Sequence, residues 1–336
     1  MNMKLWLESI KDEKQKIPMP ILSFPCTTLM GISVRELTSN SELQAKGMHC
    51  VAQRHKTLAS VSMMDLSVEA EAFGAQVRFS EDEVPTIVGA LVTSPEEAEN
   101  LKIPSIDSYR LPIYLQSIKM AKEKSVDRPV FAGVIGPFSL AGRLMDVSEA
   151  MVNCYVEPDM VHVILEKVTT FLIDYINEYK KMGANGVVMA EPLAGMLSPS
   201  LAEEFSSEYV KRIVDAVQTD EFLVIYHNCG DNILLMVDSI LSTGSAAYHF
   251  GNSVKMREMI EKIPSDVIVM GNVDPAGQIC NGTVESVKEK TKEIMSECCQ
   301  FDNFIISSGC DIPPESPWTN IDAFFDAVEE FYSENK

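Results

Sequence analysis

The tetrapeptide His227-Asn228-Cys229-Gly230 closes the apolar run Phe222-Leu223-Val224-Ile225-Tyr226. Far downstream, Asn303-Phe304-Ile305-Ile306-Ser307 is followed by Ser308-Gly309-Cys310. Both runs read as buried strands, and side chains two apart on a strand point to one face. His227 and Cys229 would then project together from one strand's carboxyl end, with Cys310 arriving just past another. One imidazole and two thiolates suit zinc. Structural zinc sites are usually closed by four protein ligands, whereas three ligands and an open position mark a catalytic one. The competing reading is a buried histidine beside two core cysteines, because cysteine is often buried and inert. Placement at strand ends favours a metal, Zn²⁺, and metal-assisted chemistry.

Two carboxylates, Asp65 and Glu191, also end candidate strands and are the candidate catalytic residues. Glu191 could accept a proton or serve as a displaceable fourth ligand. Asp65 could orient an acceptor or hydrogen-bond His227, as outer carboxylates do for metal-bound imidazoles. Rim solvation would explain either equally well. His249 ends a strand too, as a substrate contact or a hydrogen-bonded rim histidine, while His49, His55 and His162 lie in helical contexts. Cys26, Cys298 and Cys299 read as packing residues, and Cys50, Cys154 and Cys280 carry no motif. Asp274-Pro275 could shape the site, though Asp before Pro is also ordinary turn chemistry.

The elements that must position these groups recur as strand-like runs between segments of helical periodicity. Candidate strands are Pro20 to Phe24, Val61 to Asp65, Val130 to Ile135, Gly186 to Glu191, Leu223 to His227, Ala246 to Phe250, Val267 to Met270 and Phe304 to Ser307. That number closes a single α/β (β/α)8 TIM barrel, whose strand ends converge on one catalytic rim. A long amphipathic helix is expected from Pro199 to about Val217. The stretch from about 69 to 128 is long for a βα connection and reads as an excursion over the mouth. No low-complexity tract or Pro/Gly linker divides the chain, so residues 1–336 are expected to form one domain.

Hydrophobic residues make up 46% of the 336 positions, enough for a large core. A net charge of −21 disfavours nucleic acid and anionic membranes as partners. No stretch reaches the ~20 apolar residues that span a bilayer, and acidic residues come too early for a signal peptide. A cytoplasmic protein with no membrane attachment is expected, its eight scattered cysteines reduced and free to hold metal.

Taken together, Phe73-Gly74-Ala75, Ile135-Gly136-Pro137-Phe138-Ser139-Leu140-Ala141, Met182-Gly183-Ala184-Asn185-Gly186, His227-Asn228-Cys229-Gly230, Gly271-Asn272-Val273-Asp274-Pro275 and Ser308-Gly309-Cys310 resemble the uroporphyrinogen decarboxylase superfamily. Within it they look most like the zinc-dependent methylcobalamin:coenzyme M methyltransferases. The resemblance covers essentially the whole chain. It implies a TIM barrel, a zinc site of His227, Cys229 and Cys310, a methylcorrinoid donor presented by a corrinoid protein, and a small-molecule thiol acceptor such as coenzyme M.

A free thiol of pKa about 8.5 is only slightly ionised near pH 7, and zinc would remove that obstacle. The activated sulfur would then attack the cobalt-bound methyl group. Arg143, or backbone amides of Gly136 to Ser139, could anchor a sulfonate. The decarboxylase branch carries an arginine-rich element early in the chain, where Phe24-Pro25-Cys26-Thr27-Thr28-Leu29-Met30-Gly31 has no basic residue. Porphyrinogen decarboxylation is therefore the disfavoured alternative, beside a non-catalytic corrinoid- or zinc-binding barrel.

Overall fold

The structure is a computed structural model that describes residues 1–334. Its strands are β1 (Ser60–Val61), a small hairpin of β2 (Gln76–Arg78) and β3 (Thr86–Val88), and then β4 (Val130–Ile135), β5 (Gly186–Ala190), β6 (Leu223–Asn228), β7 (Ala247–Phe250), β8 (Ile268–Val273) and β9 (Phe304–Ser308). Outside the hairpin, seven strands run parallel in the order β1-β4-β5-β6-β7-β8-β9. Helices connect them on the outside, so the sheet curls into a barrel with its carboxyl ends at one mouth. Among the described residues no helix is long and apolar enough to cross a membrane.

Seven of the eight expected strands are present, and the missing one has a physical cause. The segment expected as a strand at Pro20 to Phe24 forms no ladder and ends in a turn at Phe24, and the residues that lead into it lie between the last and first strands. The Met19 amide donates to Ile306 O at 3.1 Å, and the Leu58 amide donates to Pro18 O at 3.0 Å. Pro18 and Pro20 have no N–H, so a regular ladder cannot propagate through the segment. β1 is also shorter than expected. After Ser62 N donates to Phe131 O, the next amide of β4, Gly133 N, takes the Ser62 side chain instead of a backbone carbonyl.

Burial on both faces explains why these strands read as continuous apolar runs. Side chains such as Val61, Phe131, Val188, Ile225, Ala247, Ile268 and Ile305 fill the barrel interior together with Met19 and Ile21. Alternate positions, among them Val134, Met189, Tyr226, Tyr248 and Ile306, pack outward against the helices in a second cluster. The amino-terminal helix Met3–Asp12 plugs the bottom of the barrel with Met3 and Ile10, and Asn2 accepts its Leu5 amide at 2.9 Å.

The helix expected from Pro199 to Val217 forms with one widened turn at Glu203–Ser207 between Pro199–Ala202 and Glu208–Val217. Its last segment buries Tyr209, Val210, Ile213, Val214 and Val217, the stripe that helical spacing dictates. The 69–128 stretch contains the β2–β3 hairpin and the helices Pro95–Asn100 and Leu111–Lys124.

Candidate metal centre

In register, His227 on β6 lies opposite Ala190 on β5 and His249 on β7. Ile225 and Ala190 belong to the interior cluster, so His227 faces inward at the mouth end of its strand. Beyond it the chain turns sharply. Asn228 Oδ1 accepts the Gly230 amide at 2.9 Å, and Asn228 Nδ2 donates to Tyr226 Oη at 3.0 Å. Gly251 lies so close to this turn that an added Cβ would come within 2.5 Å of the Cys229 Cα and Cβ. Cys310 follows Gly309, where a Cβ would stand 2.7 Å from Asn252 Oδ1. Both cysteines depend on a glycine that lets backbones approach.

His227, Cys229 and Cys310 offer donor atoms that all lie within 4.8 Å of one another. Cys310 Sγ is 3.4 Å from His227 Nε2. His227 is buried, whereas the two cysteines are half-buried and reach the mouth. The two sulfurs share a hydrogen bond. It holds the Cys229 thiol below its ordinary pKa and, with burial, pushes Cys310 up to about 12. The number, type and convergence of these donors fit a zinc ion with a further position open to the mouth.

Behind His227 stands a residue whose partner the sequence did not disclose. His249 Nδ1 is 2.8 Å from His227 Nδ1, and His249 Nε2 is 2.7 Å from Ser307 Oγ. Burial, followed by the neighbouring His227, holds the His249 imidazole well below its ordinary pKa. The signal was available in the equal positions of two histidines on adjacent parallel strands, but it needed the register to become visible.

The two expected catalytic carboxylates are engaged elsewhere. Asp65 does not hydrogen-bond His227. It accepts from Arg110 Nη1 at 2.5 Å, Tyr114 Oη at 2.6 Å and Ser67 Oγ at 2.6 Å. Arg110 also donates to Glu71, so the excursion is tied to the end of β1 through a buried ion-pair network.

Glu191 follows inward-facing Ala190, and strand alternation turns it outward, away from the three-donor cluster. Its carboxylate accepts from Phe138 N at 3.1 Å and Ser139 N at 2.6 Å, and from Ser139 Oγ at 2.7 Å. Glu191 is therefore the N-terminal cap of the helix Pro137–Met145, whose own N-cap residue, Gly136, has no side chain. Desolvation pushes its carboxyl up to about 7, and the hydrogen bonds oppose that shift. The Phe138 and Ser139 amides, expected as sulfonate anchors, are consumed by this cap.

Asp274 likewise caps its own turn, accepting from Ala276 N and Gly277 N. Cys26 is buried with its thiol pushed up to about 12, and Cys298 is buried on the helix Val284–Cys298.

A family model described as uroporphyrinogen decarboxylase (URO-D) matches residues 17–331. Methylcobamide:CoM methyltransferase MtbA of Methanosarcina acetivorans is 23% identical over 340 residues, covering 95% of this chain and 98% of that protein. Uroporphyrinogen decarboxylase of Coxiella burnetii is 25% identical over 290 residues, covering 83% and 78%. A solved structure described as a methyltransferase from Methanosarcina mazei superposes with a TM-score of 0.85 at 24% identity, over 98% of each chain. That likeness establishes the barrel fold. The chain belongs to the uroporphyrinogen decarboxylase family, in which decarboxylases and methyltransferases both occur, so the reaction must be argued from the site.

Proposed function

We propose that this family member is a zinc-dependent methyltransferase that moves a methyl group from a methylated corrinoid, held by a corrinoid protein, to a small thiol such as coenzyme M. The observation that carries the proposal is the convergence of His227 Nε2 and the two sulfurs at the barrel mouth. The relatives named as methylcobamide:CoM methyltransferases support the donor and the thiol class.

His227, Cys229 and Cys310 would hold the ion, the two cysteinates balancing its charge. When bound, zinc supplies a Lewis-acid position that lets an incoming thiol lose its proton near neutral pH. The protein's own task is to present that sulfur toward the mouth and to keep one face clear for the corrinoid. The thiol sulfur would take the methyl group with its own electron pair, the Co–C pair would stay with the corrinoid's cobalt, and the thiol proton would leave to solvent.

Arg143, half-buried on the helix that Glu191 caps, has no ion-pair partner among the described residues and is our candidate anchor for an anionic tail. Exposed Met196 and Leu235, just beyond β5 and β6, offer apolar contacts to a docking protein. Asp65 and Glu191 serve this reading by positioning: Asp65 fixes the excursion, and Glu191 fixes the helix bearing Arg143. The decarboxylase alternative gains nothing from the early segment, where the short helix Cys26–Met30 presents no basic side chain.

The test is demethylation of methylcobalamin by added thiols, followed optically with zinc-loaded protein. Thiol-dependent conversion that disappears in Cys310→Ser supports the proposal. Loaded protein that leaves methylcobalamin unchanged with coenzyme M and other small thiols would sink it.

A further inference from the structure

A hydrogen-bond chain runs from the barrel-closing segment to His227, and its donor and acceptor sense is fixed from both ends. Ser307 Oγ lies 2.7 Å from Met19 O, a carbonyl that can only accept, so the hydroxyl proton points there. Ser307 Oγ must then accept from His249 Nε2 at 2.7 Å. That nitrogen carries the proton, and the Nδ1 atom of a neutral His249 is left as an acceptor. It faces His227 Nδ1 at 2.8 Å, which must donate. The other end agrees independently, because His227 Nδ1 also lies 3.3 Å from the carbonyl oxygen of His249.

We infer that His249 and Ser307 are positioning residues that hold His227 in its Nδ1–H tautomer, leaving the Nε2 lone pair bare beside Cys310. The inference rests on the metal-centre reading given above and extends it from three ligands to the groups that aim one of them. An imidazole in the opposite tautomer would turn a proton toward the ion, so the chain removes a competing state before metal arrives. It also accounts for the histidine and the serine that follow Ala247 and Ile305 on the inward faces of β7 and β9, one layer nearer the mouth. The proline-bearing segment that replaces the eighth strand has a role here too, since its Met19 carbonyl orients the first hydroxyl.

The experiment combines a competitive zinc titration against a chromogenic chelator with ¹⁵N–¹H spectra of the histidine rings in folded, metal-free protein. We expect His227 to carry its proton on Nδ1 and His249 on Nε2. His249→Leu should weaken zinc retention about 10–100-fold, with Ser307→Ala having a smaller effect. His249→Asn, whose side-chain oxygen can still accept from His227, should recover much of the loss, a pattern that packing damage alone does not produce.

Zinc affinity unchanged in His249→Leu, or a His227 ring protonated on Nε2, would overturn the inference. If the wild-type chain binds no zinc, the metal-centre reading fails on its own account. The ring spectra, which need no metal, still decide whether the hydrogen-bond chain has the stated sense.

Discussion

Around β1, β4 and β5, the carboxylates Asp65, Glu69 and Glu191 are buried; Asp65 and Glu191 spend both oxygens on backbone amides, hydroxyls or Arg110, and Glu69 Oε1 accepts the Ile135 amide. Around β6, β7 and β9, His227, Cys229 and Cys310 turn donor atoms toward one another, with the sulfurs reaching the mouth. Both sides of the barrel carry groups that a sequence would nominate for chemistry. What separates them is commitment: a carboxylate already accepting two or three hydrogen bonds is part of the scaffold, whereas converging donors that few protein groups satisfy are available to a ligand. Mutations that unpair Asp65 or Glu191 should therefore lower stability and leave metal binding alone, whereas mutations of the three converging donors should weaken metal binding and leave the stability of the fold alone.

The largest effect is expected at Cys310. Cys310→Ala removes a ligand outright, and zinc retention should fall by more than the ~10–100-fold that losing an outer partner costs. The thermal midpoint of the metal-free protein should change little, and a collapse of that midpoint would erase the distinction between the two sides. Next is Arg110→Met, which leaves Asp65 buried without its cation. Urea unfolding should show a loss of about 3–5 kcal/mol, with zinc stoichiometry unchanged. Loss of zinc in a folded Arg110→Met protein would mean that the carboxylate side reaches the metal after all.

Glu191→Gln turns an amide NH₂ toward backbone donors that now find a carboxylate oxygen. It should cost about 1–3 kcal/mol by loosening the cap of Pro137–Met145. Because Arg143 rides on that helix, the Km for an anionic thiol should rise in the same variant while zinc affinity holds.

The most specific effect is a pH dependence at Glu69. Its Oε2 has no partner, and burial pushes its carboxyl from 4.5 up to about 7. Between those values the folded chain binds the extra proton, so this group's contribution to stability is full below about 4.5 and is lost as pH rises through about 7. Glu69→Gln should flatten that slope and stabilise the protein at pH 8 by roughly 1–3 kcal/mol, measured by urea unfolding at several pH values. An unchanged slope would remove Glu69 from the account.

How much of this was legible in the sequence follows from the range of the interactions involved. The buried strands were legible because parallel strands covered on both faces need unbroken apolar runs, and β4 through β9 lie within a few residues of their expected positions. The three metal-ligand candidates were legible because strand alternation and strand-end placement are local facts. Closure by an irregular segment was hidden in the missing N–H groups of Pro18 and Pro20.

The fates of Asp65 and Glu191 were not local. Arg110 is 45 residues from Asp65, and Ser139 is 52 from Glu191, so neither partner could be assigned without the register and the helix layer. Glu191 also shows how one residue of strand alternation turns a rim carboxylate into a helix cap.

The central claim is a zinc ion held by one imidazole and two thiolates with a position left for a substrate thiol. Zinc-edge X-ray absorption of the wild-type protein, recorded before and after coenzyme M is added, tests it most directly. The account predicts one nitrogen-bound imidazole and two sulfurs at ~2.3 Å in the resting protein, rising to three sulfurs with the thiol. A zinc environment that already contains four protein ligands and does not change on adding the thiol would contradict it.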